Sequence, residues 1–234
     1  MNTARLHWTP ADALGGMVRH SAVVHGRAYQ YDRPVGLEKL FDHPAVQAAF
    51  NADEYIPYWA DLWPAASMLA EAILKEPWAP RTATTGLLQA IELGCGLGLS
   101  GIVALECGLH VTFTDVDAAA VQLAAHNARL NGYTEFETAT VDIRATPDRH
   151  WPVILAADVL YEARMLEPLV QFLRQAMPPN GIALVGDADR ISARPFRGML
   201  DDAGFLVITT VAKTGARGSQ TRGVVYRITW PERD

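Results

Sequence analysis

The run Ile91-Glu92-Leu93-Gly94-Cys95-Gly96-Leu97-Gly98 puts an acid and three glycines where an apolar strand must stop and a helix must start. Glycines in such a turn let the backbone approach a ligand that a Cβ would push away. A second acid, Asp115, follows about 20 residues later, at the end of the next strand-like run, where it can accept hydrogen bonds from both hydroxyls of a ribose. Two cofactor classes fit. Gly96-Leu97-Gly98-Leu99-Ser100-Gly101 satisfies the dinucleotide pattern, and Gly94, Gly96 and Gly98 satisfy the G-x-G-x-G pattern of S-adenosylmethionine sites. Glu92 favours the second. A pyrophosphate prefers a helix N-terminus without a carboxylate nearby, whereas a sulfonium and an ammonium suit one. The register agrees, because Gly94 is the first residue after the strand and the dinucleotide pattern would begin two residues late.

Further chemistry-bearing residues lie at later strand ends. Asp142 follows the third strand and could meet an adenine amino group, or be a solvated turn acid. In Ala156-Ala157-Asp158-Val159-Leu160-Tyr161 an acid appears abruptly after an apolar run. A lone buried carboxylate is costly, so Asp158 is expected to face a cleft, with helix capping as the plainer alternative. Tyr161 can point into the same cleft. In Pro57-Tyr58-Trp59-Ala60-Asp61-Leu62-Trp63-Pro64 two tryptophans stand four apart, as packing residues or as walls of that cleft.

The elements that must hold these residues alternate from Leu87 onward. Strands are expected at Leu87–Leu93, His110–Thr114, Phe136–Val141, Val153–Ala157 and Ile182–Gly186. Helices are expected at Leu97–Cys107, from Asp117 to Leu130, at Arg164–Met177 and at Ala193–Ala203. Phe205–Val211 and Val224–Trp230 follow with no helix between them, which predicts an antiparallel final strand pair. The alternation predicts a doubly wound α/β sheet. Ala65, Met68, Leu69, Ala72 and Ile73 recur at helical spacing after Pro64. Residues 1–56 read as an N-terminal helical extension packed on the domain, with short helices at Pro10–Arg19 and Gly36–Phe50. Residues 57–234 read as the domain itself.

Composition narrows the function classes. The 234 residues are 50% hydrophobic and 20% charged, an ordinary globular mixture, and allow one sizeable α/β domain. A formal charge of −6 argues against a nucleic-acid backbone as the main partner. The two cysteines, Cys95 and Cys107, are too few for a zinc site or a disulfide framework, and the scattered histidines suggest no metal. Met1 to Val24 lacks the basic start and apolar run of a signal peptide, and no apolar stretch reaches the ~20 residues of a membrane span, so a cytoplasmic location is expected.

Taken together, Trp59-Ala60-Asp61-Leu62-Trp63-Pro64-Ala65-Ala66, Glu92 to Gly98 and Ala157-Asp158-Val159-Leu160-Tyr161-Glu162 resemble class I, seven-strand S-adenosylmethionine methyltransferases. More narrowly they resemble the family 16 protein lysine methyltransferases that carry a D-x-x-Y motif, and within it the branch acting on the electron-transfer flavoprotein β-subunit. Gly186-Asp187-Ala188-Asp189-Arg190 is similar to a G-D-P-x-R stretch of that branch, with Ala188 in place of the proline. The resemblance covers roughly residues 55–230. It implies a Rossmann-like seven-stranded sheet and S-adenosyl-L-methionine as cofactor. Cofactor contacts are implied at Trp59, Gly94, Gly96, Asp115 and the turn of Asp142 and Ile143, and Glu92, Cys95, Gly98, Val116 and Ala157 are expected to join them. Asp158 and Tyr161 are implied at the methyl-acceptor side, Asp158 positioning an amine and Tyr161 packing beside the methyl path. The favoured partner is a protein lysine, and the alternative is a small-molecule amine or nicotinamide-type acceptor. A nicotinamide-dependent oxidoreductase and a non-catalytic cofactor-binding module are the rival classes. Neither a nucleic acid nor a membrane is expected as partner, and the oligomeric state is not read.

Overall fold

Short apolar runs buried on both faces are central strands of a parallel sheet, and they organise the computed structural model, which describes residues 16–35, 40, 42, 44–53, 55–78, 87–215 and 219–232. The chain enters as a two-stranded hairpin, β1 (Met17–Val24) and β2 (Arg27–Pro34). The expected helix over Pro10–Arg19 is therefore wrong at residues 17–19, and residues 10–15 lie outside the described set. The reason is local. His25 (φ 50°) and Gly26 (φ 81°) form a two-residue turn with both central residues left-handed, the geometry that matches strand twist. Of the second expected helix, over Gly36–Phe50, the described part is α1 (Pro44–Asp53); residues 36–39, 41 and 43 lie outside the described set.

The hairpin packs on the outside of the domain. Asn127 accepts from the Asp32 backbone N–H at 2.8 Å, Asn131 bonds both polar backbone groups of Gln30, and the Asp32 carboxylate takes Arg19 and His126. A 3-10 turn at Tyr58–Ala60 leads into α2 (Pro64–Lys75), whose buried stripe is Ala65, Met68, Leu69, Ala70 and Ile73.

The sheet follows as β3 (Gln89–Leu93), β4 (His110–Asp115), β5 (Glu137–Thr140), β6 (Val153–Ala157), β7 (Ile182–Asp187), β8 (Leu206–Thr214) and β9 (Thr221–Thr229). The helices among them are α3 (Leu99–Glu106), α4 (Ala118–Leu130), α5 (Leu166–Ala176) and α6 (Phe196–Asp202). Its seven strands run in the order β5-β4-β3-β6-β7-β9-β8. The first five are parallel, and β9 pairs antiparallel with β7 on one side and β8 on the other. The expected antiparallel pair is present, with its second strand wedged inward. Alternation along β6 shows the two layers: Val153 and Leu155 join Met68, Leu69, Ile102 and Val103, whereas Ile154 and Ala156 join Leu169, Phe172, Leu173 and Phe196.

From β3 the chain winds outward through β4 to β5, then returns to place β6 on the other flank of β3. At such a reversal the connections leave the strand ends in opposite directions and open a crevice. Leu93 pairs with Ala156 across this point, so Gly94 and Ala157 begin the two lips. Among the described residues, no helix is long and apolar enough to cross a membrane.

Candidate functional site

The crevice deepens into a cavity of about 790 Å³. All thirteen residues singled out from the sequence line it: Trp59, Glu92, Gly94, Cys95, Gly96, Gly98, Asp115, Val116, Asp142, Ile143, Ala157, Asp158 and Tyr161. They divide between two ends.

The glycine turn forms the floor of one end. Gly94 has φ 64°, and a Cβ there would lie 2.8 Å from Cγ1 of Val159, so neither the backbone nor the space admits a side chain. Gly101, on α3, lets the helix press against Phe113 and Glu92; a Cβ would lie 2.6 Å from Oε2 of Glu92. That oxygen is the one buried side-chain polar atom without a hydrogen-bond partner among the described residues. The Gly101 N–H and the Ser100 hydroxyl favour the charged form of Glu92, but burial at 2% exposure outweighs them and pushes the carboxyl up to about 8. Burial therefore favours the protonated form of Glu92, where the sequence reading took it as a standing charge.

Asp115 ends β4 beside this floor. Its Oδ2 accepts from the Gly96 N–H at 3.1 Å and its Oδ1 from the Asp117 N–H at 3.0 Å. Each oxygen keeps a lone pair for a further donor. Burial pushes the carboxyl up to about 6, and the neighbouring Asp117 adds to the rise. Asp117 occupies the position before α4 that the sequence assigned to a cap, but its side chain makes no cap bond; the Tyr55 hydroxyl donates to it instead. The Trp59 indole N–H donates to Tyr55 at 3.1 Å, so the tryptophan wall is tied to the β4 end. Asp142 accepts from the Arg144 backbone N–H at 2.9 Å and pairs with its guanidinium at 2.7 Å.

At the other end Asp158 has φ 55°, a conformation that residues other than glycine adopt with strain. Its side chain is only 5% exposed, and both oxygens are engaged. The Ala65 N–H, in the first turn of α2, donates to Oδ2 at 2.7 Å, and the Arg190 guanidinium donates to Oδ1. Arg190 also pairs with the fully buried Asp187 at 3.2 Å. The sequence reading had Asp158 positioning an amine; both of its oxygens are already taken by protein donors. A carboxylate this deep needs compensation, which a helix N-terminus and a guanidinium supply. Burial still pushes Asp158 upward, with Arg190 opposing. Tyr161 stands at the lip, its ring 4.8 Å from that of Tyr58.

Sequence reasoning missed Tyr55, Tyr58, Ala48 and Ala52, which also line the cavity. Tyr55 stands four residues before Trp59, a spacing that could have flagged it. Nothing local announces Ala48 or Ala52. Arg190 was noticed only within a motif, and its pairing with Asp158 was not foreseen.

A family model described as "Lysine methyltransferase" matches residues 58–195. The electron transfer flavoprotein beta subunit lysine methyltransferase of Xenopus laevis is 28% identical over 136 residues, 57% of this chain and 53% of that protein. The chain spans about half the length of the curated relatives it matches. Among solved structures, the ribosomal protein L11 methylase of Lactobacillus delbrueckii subsp. bulgaricus is similar with a TM-score of 0.56 and 20% identity, covering 72% of this chain and 79% of that one. The N-methyltransferase NodS of Bradyrhizobium japonicum WM9, in complex with S-adenosyl-l-homocysteine, gives 0.55 and 16%, covering 70% and 86%. Both are similar in fold.

Proposed function

We propose, for a chain that belongs to the lysine methyltransferase family, that it transfers a methyl group from S-adenosylmethionine to the side-chain amine of a lysine in a protein. The observation that carries this reading is the pairing of two buried, underused acceptors, Glu92 and Asp115, at one end of a cavity whose other end is aromatic and open. When bound, the cofactor supplies a methyl group made electrophilic by its sulfonium. The residues present fit it. The partnerless oxygen of Glu92 suits an ammonium donor, and a cation beside it would draw the carboxyl back toward its charged form. The free lone pairs of Asp115 suit a ribose diol, and the turn at Gly94 leaves room that a Cβ would fill. Trp59, Val116 and Ile143 offer apolar wall.

The acceptor end must orient an amine and let it lose a proton. A lysine amine has an ordinary pKa of ~10.4, so about one in a thousand is neutral at pH 7. An aromatic mouth lowers that value by desolvation. Asp158 would hold the proton on if its charge were unopposed; paired with Arg190 it opposes deprotonation less, while keeping the lip of β6 fixed to α2 and β7. Holding an amine at near-attack distance from an electrophile supplies much of the rate.

Protein, not a small amine, is the acceptor we favour because of where the N-terminal extension lies. Ala48, Ala52 and Tyr55 line the cavity, and Tyr55 bonds Asp117 beside the ribose acid. Among the described residues, these three lie toward the cofactor end, and Tyr58, Trp63 and Tyr161 at the mouth stay partly exposed, which suits a large partner.

The test is incubation with S-adenosylmethionine of purified electron transfer flavoprotein, of a cell lysate and of a panel of small amines, read by mass spectrometry. Methyl increments on protein lysines are expected. Methylation of small amines alone would overturn the protein acceptor, and failure of S-adenosylhomocysteine to bind in calorimetry would overturn the cofactor assignment.

A further inference from the structure

Leu206, Ile208 and Val211 are 56%, 53% and 54% exposed, and all three stand on β8. This strand ends the sheet, and among the described residues its outer edge has no partner strand. An open edge presents unpaired N–H and C=O groups that template another strand, and sheets blunt such edges with proline, bulges, charge or short length. β8 has little of this protection. It runs nine residues, contains no proline, and pairs with β9 from Leu206 to Thr214 without a skipped residue. Its single charged side chain is Lys213.

The two faces of the strand differ. Val207 joins Phe196 and Leu200 of α6 in one core layer, and Ala212 packs against the layer that holds Met68 and Leu69 of α2. By alternation Thr209, Val211 and Lys213 stand on the α6 side. The start of the strand is acidic on that side. α6 ends in Asp201 and Asp202, both exposed. Arg197 offsets one of these charges, pairing with Asp201 at 3.0 Å, and donates to the Val207 carbonyl at 2.9 Å. The far end is basic: Lys213 is exposed and has no ion pair among the described residues. A strand acidic at one end and basic at the other is complemented by an antiparallel copy of itself.

We propose that two copies of this chain pair through their β8 edges, antiparallel and two-fold symmetric about Val211, into one sheet continuous across the dimer. Arg197 already occupies the Val207 carbonyl, so the open stretch is Ile208–Thr214, and Val211 is its midpoint. On the axis each Val211 covers its own counterpart, a β-branched cross-strand contact of the sort that stabilises sheets. Lys213 lies opposite Thr209 of the copy, two residues from Val207 and the acidic end of α6. So short a strand pair is a small interface, and the dimer is weak, forming in the micromolar range. β8 stands three strand spacings from β6, about 14 Å across the sheet, so pairing there leaves the cavity clear of the second copy.

Sedimentation velocity of the whole chain over a concentration series reads the state of association. A monomer–dimer equilibrium is expected, and a chain that stays monomeric up to about 1 mM overturns the proposal. Val211→Lys sets two ammonium groups side by side on the axis and should weaken the dimer by about tenfold or more. Val211 is half exposed, so the variant should keep its fold, which near-UV circular dichroism checks. Val211→Cys should cross-link to its own copy under oxidised glutathione, because directly opposed strand residues lie within disulfide reach, whereas Leu206→Cys should not. The wild type, with Cys95 buried and Cys107 partly buried, is the control and should not cross-link. A dimer that survives Val211→Lys, or a cross-link that forms as readily through Leu206→Cys as through Val211→Cys, also overturns the pairing.

Discussion

Replacing Glu92 by Gln should make the ligand-free protein less sensitive to alkali, by an amount that grows with pH. The carboxyl is 2% exposed, one oxygen has no partner, and burial raises it from an ordinary 4.5 to about 8. The unfolded chain releases its proton near 4.5 and the folded chain only near 8. The stability that Glu92 contributes through its retained proton is thus fully present below 4.5 and lost as pH rises through 8. Each unit is worth 1.36 kcal/mol, so the loss is about 3 kcal/mol by pH 7 and about 5 kcal/mol above pH 8. Gln has nearly the same shape and cannot ionise. Urea unfolding of both proteins at pH 4.5, 7 and 8.5 isolates the effect, because Asp115 and every other titrating group is common to both. Glu92→Gln should match the wild type at the acid end and exceed it by several kcal/mol at the alkaline end. A difference that stays flat from pH 4.5 to 8.5 would refute the claim that an unmet buried carboxyl sits under the glycine turn.

Other outcomes follow from the same geometry. Asp115→Asn should weaken S-adenosylhomocysteine binding by about 1–3 kcal/mol in calorimetry. Wild-type affinity should fall as pH drops below about 6, where Asp115 takes up its proton and loses acceptor capacity. Gly94→Ala should lower stability by about 1–3 kcal/mol in thermal melts, through both the left-handed φ and the 2.8 Å approach to Val159; adding Val159→Ala should restore only the part due to crowding. Arg190→Ala should cost about 3–5 kcal/mol at pH 8 because it strands the Asp158 and Asp187 charges, and Asp158→Asn in the same background should recover part of it; equal losses with and without Asp158→Asn would deny the pairing with Asp158.

The parts of the fold that could be read from sequence are those whose signal is local. Val153–Ala157 was readable to the residue because a strand buried on both faces leaves an unbroken apolar run. The glycine turn and Asp115 were readable because their spacing is set by one strand–helix–strand unit. The hairpin was not, because β1 leaves most of its residues at least partly exposed and shows no clean alternation. Asp158 was correctly placed at a cleft but its surroundings were invisible: one partner lies 93 residues before it and the other 32 after, distances at which no periodicity operates. Helix α6 begins at Phe196, not Ala193, since Ile191–Ala193 is a 3-10 turn and Pro195 follows it.

The inward position of β9 bears on how the sheet is made. A ribosome delivers β8 before β9, yet β8 has no neighbour in the sheet except β9. Until the last strand is synthesised, the β7 edge has no partner strand, and the Leu206–Thr214 segment has no strand to pair with. Completion is then a single event in which the late-arriving strand inserts, covers that edge and recruits its predecessor from outside, so β8 and β9 should gain protection together and last.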